Sequence, residues 1–280
     1  MDRARAWSCR GFALALDRPL VMGVLNVTPD SFSDGGSYID TDAAVTAAIR
    51  MLADGADIID VGGESTRPGA GPVSAAQEAG RVVGVITALA EQGVCVSVDT
   101  RHAVVAAQAL EAGAAIVNDV SGFADPAMVR VVAGSGAGLV VMHMRGEPRT
   151  MQESPVYADV VAEVAAYLAQ RASALERAGA ARDRIALDPG LGFGKTTAHN
   201  LDLLRRLPEL EALGFPVVVG ASRKRFIGEI TGVAEPRDRL AGSLAAALEA
   251  VRRGAAVVRV HDVAATVQAL AVARAMDGKE

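Results

Sequence analysis

Two textures alternate along this chain. Short runs rich in Val and Ile, apolar at nearly every position, recur at 21–25, 57–61, 94–98, 115–117, 139–142, 185–187, 217–219 and 257–260. Such runs predict strands buried on both faces. Between them lie longer stretches of Ala, Leu and Arg, near 41–53, 74–91, 102–112, 126–135, 156–178, 199–212, 238–253 and 262–276, which read as amphipathic helices. The joints repeat as well: Gly55-Ala56, Gly113-Ala114, Gly136-Ala137 and Gly254-Ala255 each end a helical stretch and open an apolar run. Glycine accepts the positive φ of a helix C-cap at no steric cost. Eight such units in 280 residues fit an α/β chain folded as a single-domain (β/α)8 TIM barrel, with a doubly wound parallel sheet as the competing arrangement.

No linker rich in Ser, Gly and Pro divides the chain. Residues 21–280 are therefore expected to form one barrel, preceded by an N-terminal extension, residues 1–20, to which the pattern assigns no role. Helix-to-strand turns are short, whereas several strand-to-helix connections are long: 26–40, 62–73, 143–155, 188–199 and 221–237. In an α/β barrel those are the loops that build an active site.

Composition narrows the classes. With 51% hydrophobic and 22% charged residues the chain is not disordered. A net charge of -5 offers no overall basic surface for nucleic acid. Two cysteines, Cys9 and Cys95, make neither a zinc cluster by themselves nor a disulfide scaffold, and Cys95, set in an apolar run, is expected to be buried. No run of 18 apolar residues and no export segment is visible, so a cytoplasmic address is expected.

Polar groups stand at the ends of nearly all the predicted strands. Asn26 follows the first run, and Asp60 ends the second with Glu64, Ser65, Thr66 and Arg67 beyond it. Asp99 follows the third, Asn118 and Asp119 the fourth, His143 the fifth and Asp188 the sixth. Ser222, Arg223 and Lys224 follow the seventh, and Arg259 and His261 end the eighth. Any one of these could simply cap the next helix. In a barrel they converge on one pocket. Asp99, Asn118 and Asp188 could read a polar heterocycle, while Arg67, Lys224, Arg259 and His261 suit a phosphate or pyrophosphate. Asn26 beside such a phosphate could hold Mg²⁺. Two motifs mislead. The segment Asp188-Pro-Gly-Leu-Gly-Phe-Gly-Lys-Thr-Thr197 suggests a nucleotide-binding loop, but the first glycine of that motif falls on Pro189; Lys195 is then expected to be a solvated lysine. Asn26-Val27-Thr28 matches a glycosylation acceptor but sits at a buried strand end.

Taken together, the loops resemble the dihydropteroate synthases, pterin-binding transferases of folate biosynthesis that sulfonamides inhibit. The resemblance is carried by Val24-Leu25-Asn26-Val27-Thr28-Pro29-Asp30-Ser31-Phe32-Ser33-Asp34-Gly35-Gly36 and by Asp60-Val61-Gly62-Gly63-Glu64-Ser65-Thr66-Arg67-Pro68-Gly69. Further matches are Ser97-Val98-Asp99-Thr100, Val117-Asn118-Asp119-Val120-Ser121-Gly122, Met142-His143, the Asp188 glycine segment, Gly220-Ala221-Ser222-Arg223-Lys224-Arg225 and Arg259-Val260-His261-Asp262. It implies a homodimeric barrel that condenses 6-hydroxymethyl-7,8-dihydropterin pyrophosphate with p-aminobenzoate, using Mg²⁺. It implies pterin contacts at Asp99, Asn118, Asp188 and Lys224, helped by Met142, Phe193 and Gly220. It implies a metal ligand at Asn26, a pyrophosphate side at Arg67, Arg259 and His261 with Ser65 or Thr66, and a p-aminobenzoate side at Thr66, Pro68, Phe193, Ser222 and Lys224. Phe32 and Asp34 would lie on a closing first loop. Lys224, Arg67, Asp99, Arg259 and His261 are the expected catalytic set. A methyl-transferring pterin domain and a non-catalytic pterin-binding paralogue are the alternatives; the first would not need the first two loops, which are intact here, and intact Asn26, Thr66, Arg67 and Lys224 argue against the second. The Ala- and Leu-rich stretch 240–252 could carry a dimer interface, although barrel packing alone would give the same pattern.

Overall fold

A computed structural model of the chain describes residues 6–28, 41–64, 73–146, 151 and 155–278. Eight parallel strands form one sheet: β3 (Leu20–Asn26), β4 (Ile58–Gly62), β5 (Val96–Asp99), β6 (Ile116–Asp119), β7 (Gly138–Met142), β8 (Ile185–Asp188), β9 (Val218–Val219) and β10 (Val257–Val260). They run β8-β7-β6-β5-β4-β3-β10-β9, so each strand lies beside its chain neighbour, and β10 returns beside β3. A parallel bridge from Leu187 to Val217, with Leu187 N donating to Pro216 O at 2.8 Å, joins β8 to β9 and closes the circle. The sheet is a (β/α)8 barrel rather than a doubly wound layer.

The expected elements are present, with edges moved by a few residues. Helix α1 is Thr41–Ala53, α2 Ala75–Ala90, α3 Ala103–Glu111, α4 Pro126–Ala133 and α5 Val160–Arg177. The stretch expected as one helix over 199–212 divides into α6 (Thr197–Arg205) and α7 (Leu207–Glu211), because Pro208 cannot continue the hydrogen-bond ladder. The connection 221–237 contains an unexpected short helix, α8 (Arg225–Thr231); α9 (Leu240–Arg252) and α10 (Val263–Met276) follow. No described helix is long and apolar enough to cross a membrane.

Residue parity divides the core. Ile59, Val61, Val96, Val98, Val117, Leu139, Val141 and Leu187 point outward into the layer between strands and helices. Met22, Ile58, Cys95, Ile116, Val140, Ala186, Val218 and Val257 fill the barrel interior. Both faces are apolar, which is why the runs read as continuous.

The N-terminal segment has a defined place. Strands β1 (Ala6–Cys9) and β2 (Phe12–Ala15) pair antiparallel around Arg10-Gly11, with Gly11 at φ 75° in the turn position that demands it. This hairpin packs against the interior cluster at the N-terminal end of the barrel. Trp7 is fully buried there, and its indole N–H donates to Arg184 O at 2.9 Å. Cys9 approaches Gly138 so closely that an added Cβ would lie 2.5 Å from its Sγ. The hairpin is thus a floor to the barrel. Trp7→Ala should cost about 3–5 kcal/mol of folding stability. Because Trp7 is the chain's 1 tryptophan, urea unfolding should be followed by far-ultraviolet circular dichroism. A loss below about 1 kcal/mol would refute the floor's structural role.

Candidate active site

Parallel register brings the polar strand ends to one level. Asn26 on β3 is the register partner of Gly62 on β4, Gly62 of Asp99 on β5, and Asp99 of Asn118 on β6. On the other side Met142 of β7 pairs with Asp188 of β8. These inward positions open into a cavity of about 700 Å³ at the C-terminal end of the strands. Asn26, Asp99, Asn118, Met142, Asp188, Phe193, Gly220, Ser222, Lys224, Arg259 and His261 all line it. Of the other expected site residues, Ser65, Thr66, Arg67 and Pro68, with Phe32 and Asp34, lie outside the described residues.

At the centre is Arg259. Its Nε donates to Asp60 Oδ2 at 2.6 Å and its Nη2 to Asp99 Oδ2 at 2.7 Å. Asn118 Nδ2 donates to the same Asp60 oxygen at 3.3 Å. Burial opposes the charge on Arg259, but Asp60 and Asp99 outweigh it and hold its pKa above the usual arginine range. Burial also pushes Asp99 up to about 7; Arg259 pulls the other way, and Asp60, Glu78 and Asp119 add to the rise. Asp60 belongs to the site although the motifs pointed past it. Its inward direction follows from counting two residues on from Ile58, but continuous apolar runs hide that parity.

Asp119, next in sequence to Asn118, faces away from the cavity. It accepts from Ser121 N at 2.7 Å, Ser121 Oγ at 2.9 Å and Phe123 N at 2.9 Å, so it shapes the turn after β6. Arg223 also lines the cavity, with its guanidinium held in an ion pair with Asp262 at 2.5 Å. Ser222 Oγ accepts from His261 N at 3.2 Å and pairs with His261 Nδ1 at 3.0 Å. Burial, followed by Arg259, Arg223 and Lys224, pushes His261 down to about 3, so it is a neutral imidazole at physiological pH.

The opposite wall holds Asp188, Lys224 and Phe193. Asp188 Oδ1 accepts from Gly190 N at 2.6 Å, while burial raises the carboxyl above the usual range. Lys224 Nζ stands over the Phe193 ring, 4.1 Å from its centroid. Burial, then Arg259, pushes Lys224 down to about 8 against the pull of Asp188 and Asp99. Val120, Met142, Met151 and Phe193 form a small apolar cluster of their own. The wall thus combines an apolar plate with a carboxylate and an amine, a surface suited to a flat polar ring.

Lys195 is not solvated as the sequence suggested. It is 2% exposed and ties the glycine loop to the residue after β7. The glycine loop packs directly on that residue: an added Cβ on Gly190 would lie 1.9 Å from His143 O. His143, 5% exposed, bonds Lys195.

Among the described residues, one group of side chains that could hold a metal ion lies beside the cavity: Glu64, Glu78 and His102 bring ligand atoms within 4.8 Å of one another. Here each is already engaged. Arg101 donates to both Glu64 oxygens at 3.1 Å, and His102 Nδ1 pairs with Glu78 Oε2 at 2.6 Å.

A pH signature follows from His143. Burial first, then Lys195 and Arg145, push it down to about 3 from 6.5. The unfolded chain takes up a proton below 6.5 that the folded chain refuses, so this contribution to stability is lost as pH falls from 6.5 towards 3. In urea unfolding between pH 6.5 and 4.5, wild type should lose up to about 1.4 kcal/mol per pH unit more than His143→Asn. Parallel slopes would refute a neutral buried His143.

Similarity to known proteins points the same way. The family model described as pterin binding enzyme matches residues 22–261. The dihydropteroate synthase of Neisseria meningitidis serogroup B is 49% identical over 276 residues, 96% of this chain and 97% of that protein. A structure of the Xanthomonas albilineans enzyme with 4-aminobenzoic acid superposes with a TM-score of 0.92 at 48% identity, covering 100% of both chains. That of Burkholderia cenocepacia complexed with 7,8-dihydropteroate gives 0.90 at 46% identity, covering 99% and 98%. By sequence, by fold and by the residues gathered at its strand ends, the chain belongs to the pterin-binding enzymes and, among them, to the dihydropteroate synthases.

Proposed function

We propose that the cavity takes 6-hydroxymethyl-7,8-dihydropterin pyrophosphate against its inner wall and p-aminobenzoate at its outer edge. It joins them to 7,8-dihydropteroate and releases pyrophosphate. The observation that carries this reading is the placement of Asp99, Asn118, Asp188 and Lys224 on one cavity that also holds Arg259 and His261. Ring donors and acceptors and an anionic group can then be met within a single site. The solved relatives, with 4-aminobenzoic acid in one and 7,8-dihydropteroate in another, support it.

The buried Asp188 carboxylate can accept a bidentate pair from a pterin ring N–H and its amino group. Lys224 donates to the pterin carbonyl, and its charge is offset by Asp188. Asn118, fixed by Asp60, adds an amide contact. The C–O bond between the methylene carbon and pyrophosphate breaks first, with its electron pair leaving on the phosphate oxygen. The dihydropterin nitrogen delocalises the positive charge left behind. Arg259 and His261 stabilise the departing anion, since donors fixed in advance do not have to reorganise as charge develops. Arg67 and Thr66 are assigned beside them by resemblance, and Pro68 with Thr66, Ser222 and Phe193 to the acceptor. The aniline nitrogen then attacks the methylene carbon and loses one N–H proton. An aromatic amine is nucleophilic without a general base, so no base dyad is required.

Asn26 fits a role towards Mg²⁺. Its Oδ1 would lie 3.9 Å from an added Cβ on Gly62, whose other neighbour is Asp99 Oδ2 at 3.8 Å. A single neutral amide oxygen beside an already engaged carboxylate is a poor resident site. It suits magnesium that shares its shell between one protein oxygen, phosphate oxygens and water. When bound, the ion supplies positive charge to the leaving pyrophosphate. We also read the enzyme as a cytoplasmic homodimer, on the resemblance alone.

Purified protein given both substrates and Mg²⁺ should release pyrophosphate and dihydropteroate in equal amounts, and omitting the metal should suppress both. Lys224→Ala or Asp188→Ala should lower turnover by at least ~100-fold. Near-wild-type kcat/KM in both variants would overturn the assignment of these residues.

A further inference from the structure

The ammonium of Lys195 is buried and surrounded by acceptors from two loops. It donates to Phe193 O at 2.9 Å, Gly190 O at 3.0 Å and His143 Nδ1 at 3.0 Å, with His143 O at 3.3 Å. A lysine ammonium has three protons, so four acceptors at this range use it fully. Two of them belong to His143, which follows β7; the other two belong to the glycine loop that follows β8. His143 is held in turn, with its ring edge-on to Tyr167 at 5.0 Å. The loops also touch backbone to backbone: an added Cβ on Gly194 would lie 2.3 Å from Arg145 O. Tyr157 Oη donates to Gly194 O at 2.8 Å from the far side.

What this arrangement positions is Phe193. Lys195 grips its carbonyl directly, and Phe193 N donates to Gly190 O at 3.1 Å, so both ends of the turn are pinned. The Phe193 ring then lies against Lys224 Nζ at 4.1 Å. An added Cβ on the intervening Gly192 would lie 3.2 Å from Lys224 Cδ. A turn of glycines has little stiffness of its own. An ammonium bonded to carbonyls across it supplies stiffness, because charge-assisted hydrogen bonds are about twice as strong as neutral ones.

We propose that Lys195 is a positioning residue for the condensation: it fastens the loop after β8 to the end of β7 and so sets Phe193 against Lys224 where the aromatic amine enters. This rests on the reading of that outer edge as the acceptor side. The lysine does not touch the reacting atoms; it acts through Phe193. Losing it should therefore weaken acceptor binding more than pterin binding. Burial first, then Lys224 and Arg145, bring its pKa down to about 7 against Asp188, so the charge-assisted part of this grip weakens as pH rises above 7.

The test is a kinetic double-mutant cycle with Lys195→Met, Phe193→Leu and the double variant. KM for p-aminobenzoate, KM for the pterin pyrophosphate and kcat are measured for each. Lys195→Met should raise KM for p-aminobenzoate about 10-fold or more, with a clearly smaller change in KM for the pterin substrate. In the Phe193→Leu background the same change should have little further effect, because the element Lys195 acts through is already altered. Multiplicative effects of the two substitutions, equal loss in both KM values, or unchanged kinetics would each overturn the proposal. If Lys195→Met does not fold, Lys195→Gln, which retains one donor group, is read by the same criteria. Turnover of the wild-type enzyme in that assay tests the assigned reaction independently, so failure of one reading is not confused with failure of the other.

Discussion

Arg259 lies between two carboxylates that could not otherwise be buried together. Asp60 is 0% exposed and Asp99 is half-buried, on adjacent strands, and the nearby Asp60 opposes ionisation of Asp99. The guanidinium at 2.6 Å from one and 2.7 Å from the other removes that conflict. This depends on barrel closure. In the strand order, β10 stands three places from β5, roughly 14 Å across a flat sheet. Curvature brings the far strand within reach of one arginine side chain. Gly62, the register partner of Asp99, has no side chain to intrude. Removing one member of such a group leaves an uncompensated buried charge, a far larger cost than the intact group contributes as a net gain. Fold and site are thus held by the same contact.

The legible parts of this chain were those where backbone chemistry and sequence pattern coincide. Val257–Val260 falls where its apolar run lies, and α1 spans the expected 41–53. Asn26, Asp99 and Asn118 did converge, because parallel register brings the ends of β3, β4, β5 and β6 level, whereas Asp119 and His143 turned elsewhere. The hairpin was missed because Trp-Ser-Cys and Phe-Ala-Leu-Ala are short alternations, one of them weakly polar, around Arg10-Gly11. Their partner is the barrel floor, and nothing local announces a floor. Lys195 was misread for a related reason. A lysine after glycines reads as solvated, and two of the four acceptors that hold it are supplied by His143, 52 residues away. Asp60 and Asp119 look alike in sequence, yet one faces Arg259 and the other its own turn. That distinction is strand parity, which continuous apolar runs conceal.

The same logic explains why the cavity can hold many basic groups without flying apart. Lys195, Lys224, Arg259 and His261 line it, with His143 bonded to Lys195 just behind. Were all of them charged, the repulsion would be severe in a partly dry site. Burial and mutual proximity instead hold His143 and His261 neutral, with pKa values near 3, and bring Lys195 and Lys224 to about 7 and 8. The two arginine contacts to Asp60 and Asp99 take up the charge that cannot be shed. The cavity therefore carries less positive charge than its count of basic residues suggests.

A polyanion placed in that field acts on every one of these equilibria in the same direction. An adjacent negative charge favours the protonated form of Lys224 and His261, so anion binding and proton uptake are linked. The groups best able to respond are those already displaced from their ordinary pKa, because their charged forms lack only a partner. Arg259 responds least: its own partners already hold it charged, and its contribution is a donor fixed in place before the anion arrives. One residue supplies fixed geometry and its neighbours supply adjustable charge. A site that must first hold pyrophosphate and then release it needs both, since a wholly fixed positive cavity would retain the product as firmly as the substrate.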